Sequence, residues 1–316
     1  MTMRSSFAAF GMALAFLVGV PNERAINIEG SMTTEEHHLS QAPKEHPVKA
    51  QLLADASQIH PGQTFTLGVL FDLQPGWHIY WQNPGDAGLA TTVTFALPEG
   101  FQLGKLQWPL PKKFIEPGDI VTYGYTNRTL LMTTVRAPDN LRPGSTVELR
   151  ARAAWLCCRK ICIPGQTALR LELPIGQSRP SPHTALFATW RSRLPRPIDE
   201  DERLRRLHIE GGFSRGETST RITLTLEWTS APADIEWFPA ADPALSVTPA
   251  TIRSRDRRTE ITVPVSILPG RTPRESFWGL VVYRTPDGHR RGIIVPIHLR
   301  AEAVSGTRSS TKRRMP

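Results

Sequence analysis

Short runs in which apolar and polar residues alternate make up most of the chain from Val48 onward. Alternation with a period of two is typical of strands that bury one face, and Gly- and Pro-rich turns separate these runs. The clearest early runs are Thr64–Phe71, Trp77–Trp81, Thr91–Leu97, Leu106–Trp108, Thr129–Val135, Val147–Trp155 and Thr167–Leu173. Because turns follow every ~8–12 residues, this pattern predicts a β-sandwich.

A second group of alternating runs follows a stretch rich in Pro and Ser. Its members are Arg221–Trp228, Thr259–Leu268, Ser276–Tyr283 and Arg291–Leu299. The last two flank Pro286-Asp-Gly288, which is a strong hairpin signal. Between the two groups, the spacing in Thr184–Leu194 suits a short helix. The pattern as a whole predicts a mainly β protein with two sandwiches in tandem and a short helical connector.

The N-terminus has the pattern of an export signal, because Arg4 precedes the apolar run Phe7–Val20. That run is shorter than the ~20 residues that a membrane-spanning helix needs, so we expect no stable membrane insertion of the mature chain. A buried N-terminal helix is the alternative. The predicted segments are a signal peptide (1–25), a linker (26–47), a first sandwich (48–175), a connector (176–204), a second sandwich (205–301) and a disordered basic tail (302–316).

Charge and composition exclude one class of partner. The formal net charge is +9 and 40% of the residues are hydrophobic, with Lys and Arg interspersed among Asp and Glu. Nucleic-acid binding requires a basic patch together with a recognised motif, and neither is present outside the short basic tail. We therefore expect no nucleic-acid partner.

Three cysteines lie in the stretch Trp155-Leu-Cys-Cys-Arg-Lys-Ile-Cys-Ile-Pro164. Three are too few for a disulfide-stapled scaffold and leave one thiol over. Because side chains alternate along a strand, Cys157 shares the apolar face of Trp155, whereas Cys158 shares the polar face. We therefore expect Cys157 in the core, Cys158 and Cys162 on a short exposed loop, and residues 158–166 as a hairpin connection.

The Cys158–Cys162 spacing closes only a small loop, which in the entropy model stabilises the fold by roughly 2 kcal/mol. Arg159 and Lys160 lie between the two sulfurs and favour the thiolate forms, which raises reactivity. These residues alone are compatible with three roles for the cysteines: a redox-active pair, a structural bridge and a metal site. Metal is the weakest of the three, because no histidine has ligand spacing to the cysteines. We expect no metal and no cofactor.

Residues from about Val48 to Pro174 resemble the N-terminal periplasmic domain of the thiol:disulfide interchange protein DsbD, particularly the branch that includes the copper-sensitivity protein ScsB. The matching features are Pro75-Gly-Trp77 through Tyr80-Trp81, Asn83-Pro-Gly-Asp-Ala-Gly88, Trp108-Pro109, Tyr123-Gly-Tyr125 and Cys158-Arg-Lys-Ile-Cys-Ile-Pro164. The resemblance implies an immunoglobulin-like domain that passes electrons by thiol-disulfide exchange. It also implies a periplasmic location, with cytochrome c assembly and copper tolerance as associated processes.

By position, the resemblance assigns the cycling pair to Cys158 and Cys162, with Cys162 forming the mixed disulfide and Cys158 resolving it. In the family an aromatic residue in a Phe-Tyr-Gly loop shields the thiols. Here Thr122 stands in the place of the Phe, and Tyr123 is a candidate substitute. Trp77, His78 and Tyr80 are candidates for the lining of the redox cleft, with His78 as a proton donor. The alternative makes these residues core plus one surface histidine.

The resemblance does not extend to the membrane and thioredoxin-like domains of the family, so we expect separate proteins to supply electrons to the pair. The preferred hypothesis is therefore a periplasmic protein-disulfide reductase component. Its expected partners are a thioredoxin-like or membrane electron donor and disulfide-containing exported proteins. The competing hypothesis is a non-enzymatic binding or scaffold protein of two sandwiches, whose cysteines form an inert bridge or bind copper(I) through thiolates.

Overall fold

The computed structural model describes residues 45–299, which are almost entirely strands and turns. The predicted signal peptide (1–25), nearly all of the predicted linker and the predicted basic tail lie outside the described residues. The first strands are β1 (Val48–Ala54), β2 (Ala56–Gln58), β3 (Thr64–Leu73), β4 (His78–Gly85), β5 (Thr92–Ala96), β6 (Gln102–Leu103), β7 (Lys112–Glu116), β8 (Ile120–Thr126), β9 (Arg128–Arg136), β10 (Thr146–Cys158) and β11 (Cys162–Pro174).

The later elements include a short helix and a 3-10 turn. They are β12 (Arg179–Pro180), α1 (Thr184–Arg191), β13 (Arg196–Pro197), the 3-10 turn Ile198–Glu200, β14 (Leu204–Glu210), β15 (Ser219–Trp228), β16 (Ala233–Pro239), β17 (Leu245–Val247), β18 (Thr251–Arg255), β19 (Arg258–Ile267), β20 (Ser276–Arg284) and β21 (Arg290–His298). The mainly β class and the short helix are thus confirmed. The predicted strand at Leu106–Trp108 is wrong, because only Gln107 forms an isolated bridge there, to Met132.

Two sheets enclose the first core. One has the order β1-β3-β9-β6, and the other has the order β11-β10-β4-β8-β7, with β5 also paired to β10. Fully buried side chains from both sheets, among them Leu67, Phe71, Ile79 and Trp81, fill the space between them. Helix α1 covers the outer face of the first sheet through Phe187 and Trp190. The alternation seen in the sequence therefore produces the buried face of each strand.

Two further sheets form the second sandwich. Their orders are β13-β21-β20-β16 and β14-β15-β19-β17, with β18 also paired to β19. Alternate residues of β15, such as Ile222, Leu224 and Leu226, are fully buried between these sheets. The two-sandwich architecture predicted from the sequence is confirmed, whereas the exact domain boundaries stay a prediction.

The two sandwiches share apolar contacts. Phe238 of β16 belongs to the core of the first sandwich, where its ring lies 6.3 Å from that of Trp81. The side-chain amide of Asn83 donates a hydrogen bond to the carbonyl of Pro239 at 2.8 Å. These contacts hold β4 against β16. No helix within residues 45–299 combines the length and the apolarity that crossing a bilayer requires.

Candidate functional site

Cys158 and Cys162 form a disulfide between the last residue of β10 and the first residue of β11. The two residues are directly opposite each other in the β ladder, with Cα atoms 4.1 Å apart. Only Arg159, Lys160 and Ile161 connect the strands, and the Arg159 amide donates to the carbonyl of Ile161 at 3.1 Å. The prediction that residues 158–166 form the hairpin connection is therefore wrong, because β11 already begins at Cys162.

The strand alternation correctly separates Cys157 from Cys158. Cys157 is fully buried in the core of the first sandwich, and its thiol donates to the carbonyl of Ile163 at 3.2 Å. Burial raises the pKa of the Cys157 thiol. Cys157 is the free cysteine of the described chain, and its prediction as a core residue is confirmed.

The expected exposure of Cys158 is wrong. Its side chain is 5% exposed, whereas Cys162, on the outer strand β11, is exposed. Both lie on the face of the sheet away from the main core, but other parts of the chain cover Cys158 there. The disulfide is consequently accessible from the Cys162 side.

Tyr80 is the side chain that touches Cys158. Its hydroxyl donates a hydrogen bond to the Cys158 sulfur at 3.1 Å. Burial, together with the nearby Glu116 carboxylate, raises the pKa of Tyr80, so the phenol keeps its proton at neutral pH. A fixed hydroxyl donor beside a sulfur stabilises that sulfur when it becomes a thiolate.

The turn cluster Asn83–Gly88 covers the Tyr80 ring. Gly88 has a φ of +95°, and a Cβ atom there would stand 2.3 Å from ring carbons of Tyr80. The Asn83 carboxamide oxygen accepts a hydrogen bond from the Gly85 amide at 3.0 Å, which closes the turn. Because glycine brings backbone into direct contact with the ring, this turn holds the phenol against the sulfur.

His78 is the cross-strand neighbour of Cys158 on β4. It is 6% exposed, so the alternative that made it a surface histidine is wrong. Its ring stacks on Phe114 with centroids 4.8 Å apart, and its Nε2 lies 3.8 Å from a carboxylate oxygen of Glu116. Burial lowers the pKa of His78, and the Glu116 carboxylate partly opposes this effect. The His78 Nε2 has no hydrogen-bond partner among the described residues.

Trp77 and Tyr123 lie in the core of the first sandwich rather than over the disulfide. The Tyr123 ring is 5.2 Å from that of Phe238, and burial raises the pKa of Tyr123 to about 12. Trp77 is contacted from the hairpin loop by the Arg159 guanidinium, 5.5 Å from the ring centroid. Lys160 is exposed. The predicted influence of Arg159 and Lys160 on the thiol pKa stays a prediction.

Sequence reasoning missed Phe114 and Glu116, because it missed strands β7 and β8. These strands form a hairpin beside β4 and bring both side chains to His78. The signal that points to this hairpin is the turn Pro117-Gly118 between two short runs.

The arrangement supports chemistry at sulfur. Among residues 45–299, no group of three or more His, Cys, Asp and Glu side chains is placed to hold a metal ion. A disulfide between one exposed cysteine and one buried cysteine beside a hydroxyl donor is suited to exchange with an external thiol.

The fold and the site together define the class: a β-sandwich domain with a reactive-type disulfide on its edge hairpin. Residues 49–174 match the family model of the thiol:disulfide interchange protein DsbD, N-terminal. This segment is therefore a DsbD-type N-terminal domain, which is an immunoglobulin-like domain of a thiol-disulfide exchange family. No curated protein matches the chain.

A solved structure shares the fold over a longer stretch. The N-terminal periplasmic domain of ScsB from Proteus mirabilis superposes with a TM-score of 0.60 at 17% identity. The match covers 82% of this chain and 96% of that one, so it includes both sandwiches. A conserved domain protein from Bacillus anthracis matches with a TM-score of 0.22 at 12% identity, over 81% of this chain and 89% of that one. The latter score is too low to support any argument about the fold.

Proposed function

We propose that the chain exchanges its Cys158–Cys162 disulfide with the thiols and disulfides of partner proteins, as a protein-disulfide reductase component. One observation carries this proposal: Cys162 is exposed, whereas Cys158 is buried and its sulfur accepts a hydrogen bond from Tyr80. This asymmetry favours attack at Cys162 with Cys158 as the leaving group, because the more stable thiolate leaves faster.

Reduction of the Cys158–Cys162 disulfide begins when a donor thiolate attacks the Cys162 sulfur. A new bond forms between the donor sulfur and Cys162, the Cys158–Cys162 bond breaks, and its electron pair leaves on Cys158 as a thiolate beside the Tyr80 hydroxyl. A second donor thiolate then attacks the donor sulfur of the mixed disulfide. The donor becomes oxidised to a disulfide, and Cys158 and Cys162 are left reduced by two electrons.

Delivery of the electrons repeats these steps in reverse order. The Cys162 thiolate attacks a disulfide of the substrate protein and forms a mixed disulfide, which releases one substrate thiolate. Cys158 then attacks Cys162, restores the internal disulfide and releases the second substrate thiolate. We propose thioredoxin-like or membrane proteins as donors and exported proteins as substrates.

The proposed compartment is the periplasm. It is supported by the export-signal pattern in residues 1–25 and by the family of residues 49–174. Disulfide exchange of this kind needs an oxidising compartment, in which substrate disulfides persist. Cytochrome c assembly and copper tolerance stay predictions.

Trapping with Cys158→Ser tests the assignment of roles. This variant keeps the attacking Cys162 but cannot resolve the mixed disulfide, so covalent complexes are expected to accumulate and to disappear on reduction with dithiothreitol. Cys162→Ser and Cys157→Ser are the matched controls, and neither is expected to enrich the same complexes. If Cys162→Ser trapped as much partner as Cys158→Ser, the roles would be reversed.

The reduction potential separates exchange from an inert bridge. Structural disulfides lie below about −300 mV, whereas exchangeable ones have higher potentials. We expect equilibration with glutathione or thioredoxin buffers to place Cys158–Cys162 above that value. A potential below it, together with no trapped complexes, would sink the proposal.

A further inference from the structure

A basic cleft opens on the side of the first sandwich, between strands β7 and β8, helix α1 and the start of β21. Its volume is about 820 Å³, within the range of ~300–1,000 Å³ typical of ligand sites. The cleft is separate from the disulfide, and no step of the exchange described above uses its residues.

The lining of the cleft carries only one sign of charge. No Asp or Glu lines it, and its strong cations are Lys112, Arg128, Arg193, Arg290 and Arg291. Arg128 pairs with Asp72 and Arg290 pairs with Glu236 outside the lining. The other three form no ion pair within residues 45–299. An excess of positive charge in a concave site attracts anionic groups.

Several of these cations are held in place before any ligand arrives. The Arg193 guanidinium lies 4.5 Å over the ring of Trp190. Lys112 donates to the Thr126 hydroxyl at 3.0 Å, and Arg290 donates to the carbonyl of Pro111 at 2.7 Å. Cations fixed in this way lose little side-chain entropy when they bind a carboxylate.

The same cleft has apolar lining from Leu110, Leu186 and Trp190. A ligand that matches both features carries carboxylates beside apolar side chains. We propose that this cleft binds an acidic, partly apolar peptide segment of a partner protein. Nucleic acid fits less well, because its backbone requires a long basic groove or stripe rather than a short cleft with an apolar wall.

The position of the cleft relates it to the disulfide. Thr126 lines the cleft and is the cross-strand neighbour of His78. His78 is in turn opposite Cys158, and Cys158 is opposite Cys162. Three strand spacings of ~4.8 Å place the cleft roughly 14 Å from Cys162. A partner anchored there by an acidic segment would bring its thiols to the disulfide. That docking role rests on the proposed function, whereas binding of an acidic peptide does not.

Fluorescence anisotropy with the full chain tests the binding. The probe is a fluorescein-labelled peptide of alternating Glu and Leu, and the control peptide carries Gln in place of every Glu. We expect saturable binding of the Glu peptide that weakens steeply with added salt, because salt screens exposed charges. Equal binding of both peptides, or binding of neither, would overturn the proposal.

A charge-reversal pair locates the site. Arg193→Glu with Arg291→Glu is expected to weaken binding about tenfold or more, since it replaces attraction by repulsion. Arg215→Glu with Arg271→Glu is the matched control, because these exposed arginines lie in loops away from the cleft and change the net charge equally. Equal weakening by both pairs would contradict a site in the cleft. Arg193→Gln with Arg291→Gln serves if the reversal pair fails to fold.

Two further measurements test whether binding is independent of the disulfide and whether the ligand is a peptide. The Cys158→Ser, Cys162→Ser double variant should bind the Glu peptide as the wild type does, whether or not the chain proves active in exchange. Inorganic polyphosphate and a single-stranded oligonucleotide serve as competitors. If either bound more tightly than the Glu peptide and lost affinity in the Arg193→Glu, Arg291→Glu pair, the ligand class proposed here would be wrong.

Discussion

The phenolic oxygen of Tyr80 lies 3.1 Å from the sulfur of Cys158, and this contact joins the middle strand of the six-stranded sheet to the buried half of its disulfide. A neutral hydrogen bond to a disulfide sulfur is weak. The same donor becomes stronger when the sulfur carries a negative charge, because hydrogen bonds to ionised groups are about twice as strong as neutral ones. Tyr80 therefore acts mainly on the reduced state.

Replacing Tyr80 with Phe removes that donor and keeps the ring. A hydrogen bond to a charged group contributes roughly 1.5–3 kcal/mol, so we expect the pKa of Cys158 in the reduced protein to rise by about 1–2 units. The attack of external thiols on the oxidised form should slow as well, because Cys158 becomes a poorer leaving group. Absorbance of the thiolate at ultraviolet wavelengths against pH measures the first effect.

Tyr123→Phe is the matched control for Tyr80→Phe. The Tyr123 ring lies against Phe238 in the core. Tyr123→Phe therefore removes a phenolic oxygen, as Tyr80→Phe does, but at a position that does not contact the disulfide. An equal rise of the Cys158 pKa in both variants would show that the contact with the sulfur is not the cause.

The close approach of the Gly88 backbone to the Tyr80 ring explains why the turn before β5 carries glycine at this position. Gly88→Ala adds a Cβ atom 2.3 Å from the Tyr80 ring at a φ of +95°, whereas Gly118→Ala meets nothing within 4 Å at a φ of +86°. In both variants the left-handed backbone conformation lowers the free energy of unfolding by about 1–2 kcal/mol. We expect Gly88→Ala to lower the free energy of unfolding by about 1–3 kcal/mol more than Gly118→Ala, because it also overpacks the ring.

Urea unfolding of the two glycine variants measures this difference. In Gly88→Ala the Tyr80 ring must shift, so the Cys158 pKa should also move towards its value in Tyr80→Phe. Equal stability of the two variants would mean that the turn does not hold the ring.

Strand alternation predicted the sandwich and assigned Cys157 and Cys158 to opposite faces correctly, because the two-residue period is a local property of the chain. It did not predict the burial of Cys158. That burial depends on Tyr80 and on the turn ending at Gly88, which are far from the cysteines in sequence. A face that is polar in the first part of β10 thus becomes covered at its end.

The surroundings of His78 show a second limit of the sequence. Phe114 and Glu116 reach it because β7 and β8 form a hairpin beside β4, and register between distant strands is set by the whole sheet. The five-residue run of β7 begins with two lysines and shows little alternation. Local pattern was therefore insufficient to find these two neighbours.

His78 makes the stability of the fold depend on pH. Its pKa is lowered from 6.5 in the folded state by burial, so the unfolded chain binds a proton more readily. The stability that this group contributes is fully present above pH 6.5 and is lost as the pH falls through its folded pKa. We expect the urea midpoint of the wild type to fall in that window, and His78→Gln to remove this part of the decrease.

Glu116 supplies the matched test of the His78 effect. Its carboxylate raises the pKa of His78, so Glu116→Gln should lower that pKa further and extend the acid-sensitive window to lower pH. Histidine NMR titration follows the pKa directly. If the midpoint of unfolding fell as much across this window in His78→Gln as in the wild type, the assignment to His78 would be wrong.

The three cysteines are expected to react with iodoacetamide in a fixed order once the disulfide is reduced. Cys162 is exposed and should react first, Cys158 is 5% exposed and should react second, and Cys157 is fully buried with a raised pKa. Alkylation requires an accessible thiolate, so Cys157 should react only at the rate of opening of the fold. Peptide mass spectrometry after timed quenching gives the order, and urea is the control that makes all three react. Reaction of Cys158 ahead of Cys162 would mean that the buried sulfur is the nucleophile and that the roles proposed for the pair must be exchanged.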